Sequence, residues 1–302
     1  MKFGVSTYSF VRSIRQGEMS VLDVIRWIAN HGGEHVEIVP FGFTVNGNDA
    51  LTESIREECQ RVGIEVSNYA ILSGFTQDDQ DEYEREIERV MKEVDTANNL
   101  GAKRMRFDVA WRPRKEGEEA GLAGVVWSHQ AIGVDRFEAK LSQIADACAR
   151  IADYALQYDI VTSIENHLYF VQASERVGRL IHTVNRPNFR TTLDTGNFLC
   201  VDEDPVVGVT NDAPYASMVH LKDFYIRSAN SKVGEGWFRS AYGTHLRGAI
   251  FGDGDIDTER VMSILKSSGY SGYASIEFEG VEPCDYGTRV SLDNARRIWD
   301  SV

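Results

Sequence analysis

Cysteine is scarce in this sequence and never occurs in a pair. The chain of 302 residues has four cysteines, at positions 59, 148, 200 and 284, and no CxxC motif. Paired thiolates mark structural zinc sites, and disulfide scaffolds use many more cysteines than this. We therefore expect four reduced, buried cysteines that pack as small apolar side chains.

Long apolar runs and an excess of basic charge are also missing. No stretch approaches the roughly 18 apolar residues that a membrane span needs. The net charge of −14 opposes an encounter with nucleic-acid phosphates. Residues 1–6 show no signal-peptide pattern and lead directly into a strand. We expect a soluble, cytoplasmic protein whose partners include neither a nucleic acid nor a membrane, whereas a neutral sugar remains compatible with the acidic charge.

A glycine-rich phosphate loop is absent as well. The segment Gly252-Asp253-Gly254-Asp255 is not a GxGxxG motif after a strand, and its aspartates would repel a pyrophosphate. This disfavours an open, doubly wound sheet. The sequence has no linker or low-complexity tract, and its 42% hydrophobic and 26% charged residues are typical of a globular chain.

Short apolar segments alternate with amphipathic ones along the whole chain. The pattern predicts strands over 2–8, 35–39, 64–72, 103–109, 160–165, 189–194, 217–220 and 272–278. It predicts helices over 19–31, 49–62, 78–100, 135–158, 174–184, 258–268 and 288–301, with a helical turn near 204–205. Eight such units predict a (β/α)8 TIM barrel, an α/β fold, as a single domain over 1–302. Long irregular insertions are expected after strands four and seven, at about 110–134 and 225–256.

Four possible metal ligands follow the last four predicted strands. Glu165, Asp194, His220 and Glu277 each come at the end of an apolar run, and the first three are separated by 29 and 26 residues. Alone, each could be a helix cap, a turn residue or a core histidine. The carboxyl ends of barrel strands meet at one face, where these barrels keep their chemistry. The set therefore predicts a metal site.

Three carboxylates and one imidazole suit a divalent ion such as Mn²⁺, Mg²⁺ or Co²⁺. Such an ion would polarise a substrate carbonyl and stabilise the enediolate that forms when the neighbouring proton leaves. Glu165 and Glu277 are placed to act as the acid–base pair from opposite sides of a sugar.

Further residues near the strand ends are candidates for substrate contact. His167 is a candidate base or substrate ligand, or else it orients Glu165. Lys222 and Arg247 are expected to bind substrate oxygens, with ordinary salt bridges as the alternative. Glu37 is expected to bind substrate or to lie behind the metal ligands. The alternative is that it is a structural hydrogen-bond acceptor. Arg106 and Asp108 are expected to form an ion pair at the barrel mouth.

These motifs resemble a known family. Ile164-Glu165-Asn166-His167, Leu193-Asp194-Thr195-Gly196-Asn197, Val219-His220-Leu221-Lys222-Asp223 and Ile276-Glu277 are similar to segments of the xylose isomerase-like TIM-barrel superfamily, and more narrowly of its sugar phosphate isomerase/epimerase group. The resemblance implies that the four residues bind one divalent metal, usually Mn²⁺, and that the two glutamates exchange protons. It also implies substrate binding by Asn197, where many members have histidine. The endonuclease branch has further histidine ligands where this chain has Glu37 and Tyr69, so a nuclease is not expected.

A second resemblance covers the predicted insertion after strand seven. Residues 237–242 and 246–248 resemble a branch that includes the catalytic subunits of C-glycoside deglycosidases. The first expectation is therefore a metal-dependent sugar isomerase or epimerase. The alternatives are a lyase that cleaves 3-oxo-glycosides by β-elimination, a related dehydratase, or a non-enzymatic sugar-binding or regulatory subunit. Aromatic residues in the insertion could line an aglycone site, form a subunit interface or pack as a lid. We expect a homo-oligomer, or a hetero-oligomer with a small subunit.

Overall fold

The computed structural model describes residues 1–111 and 134–302, with only the backbone at positions 134 and 135. The strands in these residues are β1 (Lys2–Ser6), β2 (His35–Ile38), β3 (Glu65–Ile71), β4 (Arg104–Phe107), β5 (Val161–Glu165), β6 (Phe189–Asp194), β7 (Ala216–Leu221), β8 (Asp223–Arg227), β9 (Phe238–Arg239), β10 (His245–Ala249) and β11 (Tyr273–Ile276). Strands β1 to β7 and β11 form a closed parallel barrel, in which β11 pairs with both β7 and β1. The predicted TIM barrel is confirmed.

Helices follow the barrel strands. They are α1 (Val11–Arg15), α2 (Val21–Asn30), α3 (Asp49–Val62), α4 (Gln80–Leu100), α5 (Val134–Ala155), α6 (Ser174–Val184), α7 (Pro205–Asp212), α8 (Thr258–Ser267) and α9 (Cys284–Ser301). Each of the longer helices buries one apolar face; in α2, Val24, Ile25 and Ile28 are fully buried. Gly63 and Gly101 end α3 and α4 in the left-handed conformation, with φ of 77° and 80°.

The segment after β7 is more regular than the sequence indicated. Strands β8, β10 and β9 form a separate antiparallel sheet within 223–249, where an irregular insertion was expected. Phe224 and Leu246 of this sheet are buried in a small apolar cluster with Tyr169, Cys200 and Ala241. The strands are short and contain glycine and charged residues, so their alternation is too weak to recognise in the sequence.

The other differences are smaller. The expected helical turn near 204–205 is the eight-residue helix α7, and α1 lies between β1 and α2, where no helix was predicted. The predicted insertion at 110–134 lies almost entirely outside the described residues, as do Trp127 and His129.

All four cysteines are free and buried, as expected. Among the described residues, no helix is both long and apolar enough to cross a membrane.

Candidate metal centre

Four strand ends bring their side chains together at the carboxyl end of the barrel. Glu165 and Asp194 are the last residues of β5 and β6, His220 lies in β7, and Glu277 follows β11. One ligand atom from each of the four lies within 4.8 Å of the others, and all four side chains are buried. Parallel pairing sets this convergence, because Asp194 lies beside His220 in the register and the Glu277 backbone N–H donates to Leu221. The cluster could hold a metal ion.

The His220 imidazole is aimed at the three carboxylates. Its Nε2 lies 2.9 Å from both oxygens of Glu37, which also accepts a 2.7 Å hydrogen bond from Asn68. Within the described part of the chain its Nδ1 has no hydrogen-bond partner, and it lies 3.5 Å from Glu165, 3.6 Å from Glu277 and 3.9 Å from Asp194. Burial lowers the pKa of His220, but Glu37, Glu277 and Glu165 outweigh it and raise the pKa well above the ordinary value, so Nδ1 carries a proton until a cation takes its place. With Nε2 facing Glu37, Nδ1 is the nitrogen that could share a cation with the carboxylate oxygens.

Asp194 is held rigidly by backbone groups. Its Oδ1 accepts 2.8 Å hydrogen bonds from the backbone N–H groups of Gly196 and Asn197, and the Asn166 side chain bonds both the N–H and the carbonyl of Asp194. Its Oδ2 accepts no hydrogen bond of good geometry, although the Lys222 ammonium lies 3.1 Å away. Burial raises the pKa of Asp194 to about 6 even though Lys222 favours the charged form.

Neighbouring cations keep the other two carboxylates of the cluster ionised. Burial opposes ionisation of Glu165, but Arg106, which pairs directly with it, and His220 hold its pKa well below the ordinary value. For Glu277, burial is likewise outweighed by Lys222, whose ammonium lies 2.6 Å from the carboxylate, and by His220, so its pKa is lowered. Both glutamates are therefore proton acceptors rather than acids in this arrangement.

Negative charge exceeds positive charge around the cluster. The permanent cations of this ion-pair network are Arg106 and Lys222. Its six carboxylates are Glu37, Asp108, Glu165, Asp194, Glu277 and Glu279. Buried carboxylates are costly unless cations compensate them. The acidic excess, the unpartnered Nδ1 of His220 and the hard oxygen donors all fit a divalent ion.

His167 lies beside the cluster in the wall of a small cavity that also contacts Glu165 and Glu277. Its Nδ1 is 3.0 Å from both Asp108 Oδ1 and the Arg106 guanidinium. One nitrogen cannot donate to Asp108 and accept from Arg106 together, and with Nδ1 donating, Nε2 is the basic nitrogen. Burial lowers the pKa of His167, but Asp108 outweighs it and the net shift is upward. The expected Arg106–Asp108 ion pair is present at 3.2 Å.

Of the remaining predicted residues, Asn197, Lys222 and Glu37 contact the cluster, and Arg247 does not. Asn197 and Lys222 join the cluster, since Asn197 Nδ2 donates to Glu165 at 2.9 Å and Lys222 donates to Asn197 at 3.2 Å. Glu37 is fully buried and lies against Nε2 of His220, whereas Nδ1 of that ring faces the other three carboxylates. Arg247 is not brought to the cavity wall; its guanidinium lies 4.9 Å from the Tyr225 ring and 5.1 Å from the Trp237 ring.

Three residues of the site were not predicted in their present roles. Arg106 pairs with Glu165 as well as Asp108, and Tyr8 and Glu279 line the cavity. Arg106 lies in β4 and Glu279 two residues beyond Glu277, so nearness to a strand end was the available signal. Tyr8 is the last residue of the first predicted strand, so the same signal applied to it.

Together the closed barrel and its acidic cluster define a TIM barrel with a candidate metal centre at the carboxyl end of its strands. Residues 25–298 match the family described as xylose isomerase-like TIM barrel, and the chain belongs to this family. The predicted resemblance is confirmed at this level.

Individual proteins that resemble the chain do so over part of its length or at low sequence identity. Inosose dehydratase of Clostridium tetani (strain Massachusetts / E88) is 32% identical over 111 residues, which are 36% of this chain and 37% of that protein. The match thus spans little more than a third of that relative's length. The IolI protein with a bound zinc atom has a TM-score of 0.75 at 17% identity, covering 100% of this chain and 99% of that one. The apo 3-keto-D-glucoside 4-epimerase YcjR from E. coli has a TM-score of 0.69 at 14% identity, covering 98% and 99%. These two similarities show the fold alone.

Proposed function

We propose that this chain is a divalent-metal-dependent enzyme that removes the proton next to a sugar carbonyl, with isomerisation or epimerisation as the outcome. The observation that carries the proposal is the cluster itself: His220 Nδ1 has no hydrogen-bond partner among residues 1–111 and 134–302 and faces three carboxylates, while Glu37 fixes the other side of the ring. The 3-keto sugar epimerase with the same fold supports the choice of reaction.

Glu165, Asp194, His220 and Glu277 would hold the ion through one atom each. When bound, the ion supplies Lewis acidity that polarises a carbonyl and stabilises an enediolate. Manganese is our first choice, with magnesium or cobalt as alternatives, because three of the four donors are carboxylates.

The proton transfers fall to the residues around the cavity. Glu165 and Glu277 come from different sides of the barrel end, and both have lowered pKa values, so each can accept a proton. Asn197 and Arg106 hold the Glu165 carboxylate, and Lys222 holds that of Glu277. His167, oriented by Asp108, is a third group able to move a proton at the cavity wall.

Proton NMR in D₂O tests this proposal. Manganese-loaded protein, stripped protein and a Glu277→Gln variant would each be incubated with free ketoses and with 3-keto glucosides. We expect deuterium at the carbon beside the carbonyl, with the carbon skeleton retained, only with the loaded wild-type protein. Absence of exchange with every substrate, in protein shown to bind metal, would overturn the enzyme assignment and favour a sugar-binding or regulatory subunit.

Dehydration is the second candidate, favoured by the partial match to an inosose dehydratase. Elimination of water begins with the same proton removal, so the same side chains serve both reactions. The same NMR experiment separates them, since a dehydratase yields an unsaturated product from an inosose or a related cyclic ketone. Release of an aglycone from a 3-keto glycoside would instead identify the lyase that the sequence resemblance suggested.

A further inference from the structure

A buried turn follows the strand that carries Glu165. It runs from His167 to Gln172 at the carboxyl end of β5, and His167 at its start lies in the wall of the small cavity beside the metal cluster. The five residues after His167 are all less than a tenth exposed. The proposed proton chemistry uses His167 and assigns no role to the rest of the turn.

The backbone of this turn is strained. Leu168 and Tyr169 are consecutive residues in the left-handed region, with φ of 63° and 60°. This conformation brings a Cβ close to the following carbonyl oxygen, so residues other than glycine, asparagine and aspartate rarely adopt it. The other described non-glycine residues with positive φ each end a helical segment, and they are Asp159, Asn185 and Asp202. A leucine and a tyrosine in this conformation persist only where surrounding contacts hold them.

One side chain holds the turn and also reaches the next loop. The side-chain oxygen of Gln172 accepts a hydrogen bond from the backbone N–H of Tyr169, the second left-handed residue. The amide nitrogen of Gln172 donates to the Asn197 carbonyl at 2.6 Å. Gln172 is only 1% exposed, so bulk water does not compete for either bond. One buried amide therefore joins the turn after β5 to the loop after β6.

Both ends of this link carry residues of the site. The backbone N–H of His167 donates to the Val171 carbonyl at 3.2 Å, which closes the turn on the histidine itself. Asn197 donates from its backbone to Asp194 and from its side chain to Glu165. A change in the shape of the turn would therefore move the imidazole relative to the carboxylates of the cluster.

We propose that Gln172 is a positioning residue for His167: it keeps the two left-handed residues in place, and through them the imidazole beside Asp108. The reaction that it serves rests on the proposed function, whereas the position of the ring rests on the contacts of the turn alone. Removal of the amide takes away the acceptor of the Tyr169 N–H, so the turn relaxes toward ordinary backbone angles. Nδ1 of the imidazole then leaves its position 3.0 Å from Asp108.

Proton NMR of the His167 Nδ1 proton measures the position of the ring without any turnover. A proton that is hydrogen-bonded to a buried carboxylate exchanges slowly with water and gives a separate downfield signal, whether or not Nε2 is also protonated. We expect this signal in metal-free wild-type protein, assigned by its loss in His167→Gln. It should disappear in Gln172→Met, which keeps the length of the side chain, and remain in Gln157→Met, a control at an exposed glutamine. Gln172→Asn, whose shorter amide cannot reach both loops, gives the same test if Gln172→Met does not fold.

A second substitution separates positioning from simple stabilisation. Glycine adopts a positive φ without strain, so Leu168→Gly in the Gln172→Met background should restore the signal. Loss of the buried leucine should at the same time lower the stability of the protein further. A signal that persists in folded Gln172→Met, or that Leu168→Gly fails to restore, would overturn the proposal. Absence of the signal from the wild-type protein would also overturn it.

Deuterium exchange connects the turn to the proposed function and keeps the two claims apart. With a substrate that the wild-type protein exchanges, the rate at saturation should fall at least about ten-fold in Gln172→Met, because small displacements of a catalytic group cost that much or more. It should recover in the double variant. An undiminished rate would overturn the role of Gln172 in the reaction and leave the proposed function in place. The expected pattern of signals in a protein without any exchange would support the positioning of the ring and count against the proposed function alone.

Discussion

Glu37 acts on the cluster through His220. Its carboxylate lies 2.9 Å from Nε2 of the imidazole and is completely buried, so it holds the ring with Nδ1 facing Glu165, Asp194 and Glu277. A carboxylate behind a histidine ligand also raises the basicity of that ligand.

We expect Glu37→Gln to weaken Mn²⁺ binding by about 10- to 100-fold, since such partners of ligand histidines contribute about that much. Calorimetric titration of folded protein measures the change. Glu65→Gln is a matched control, because Glu65 lies at the opposite end of β3 and pairs with Lys2 at the surface. Wild-type affinity in the Glu37 variant would show that His220 is not a ligand oriented in this way.

Asp212 is a buried carboxyl at the end of α7. Neither of its oxygens has a hydrogen-bond partner in the part of the chain that the structure describes, and burial, with a smaller effect of Glu203, raises the pKa of this group to about 8. An unfolded aspartate has a pKa of about 3.9. Because the folded protein favours the protonated form, Asp212 contributes stability below about pH 4 that is lost as the pH rises to about 8.

We therefore expect Asp212→Asn to match the wild-type protein near pH 4 and to exceed its free energy of unfolding by roughly 2–5 kcal/mol near pH 9. Urea denaturation at a series of pH values gives this difference. A difference between the two proteins that stays constant with pH would contradict the assignment.

At the scale of elements, Asp223 ties the turn at 252–256 to strand β8. Its carboxylate accepts hydrogen bonds from the backbone N–H groups of Gly252, Gly254 and Ile256. The aspartates and glycines of this segment thus form a structural turn, as the absence of a phosphate motif indicated. The turn lies beside β8, which continues from Lys222, so it supports the side of the site formed by β7.

Gly254→Ala should destabilise the protein by about 1–3 kcal/mol, because overpacking costs that much and the new Cβ would lie 2.2 Å from an Asp223 oxygen. Gly234→Ala is the control, since a Cβ there has no neighbour within 4 Å. Chemical denaturation compares the two free energies of unfolding. Equal effects of the two substitutions would mean that the turn does not pack against Asp223.

The sequence could predict the barrel elements because their signals are local. Apolar strands, amphipathic helices and stop glycines such as Gly63 and Gly101 placed the elements within a few residues of their observed ends. The sheet of β8, β9 and β10 escaped prediction, since β9 has only two residues and the alternation of apolar and polar residues in these strands is weak.

The same distinction holds for the site. The convergence of Glu165, Asp194, His220 and Glu277 followed from their common position at strand ends. The pairing of Arg106 with Glu165, and the stacking of Arg247 near Trp237, depend on side-chain directions that no sequence spacing specifies.

At the scale of the whole molecule, assembly remains an expectation from the sequence. Tyr242 of the segment between β9 and β10 is 73% exposed, and Val281 and Tyr286, near the barrel mouth, are more than half exposed. Light scattering should give at least twice the chain mass of 33.9 kDa at micromolar concentration. A monomer under these conditions would contradict the expectation of a homo-oligomer, and copurification with a small subunit would favour the hetero-oligomer.

The most direct test of the central claim is a Mn²⁺ titration followed by electron paramagnetic resonance. We expect one tightly bound ion per chain in the wild-type protein and at least a hundred-fold weaker binding in Asp194→Asn. That variant keeps the shape of a side chain whose Oδ2 faces His220. Asp253→Asn, at an exposed aspartate, should bind as the wild-type protein does. Wild-type protein that binds no ion, or Asp194→Asn that binds it equally well, would contradict a metal centre built from these four strand ends.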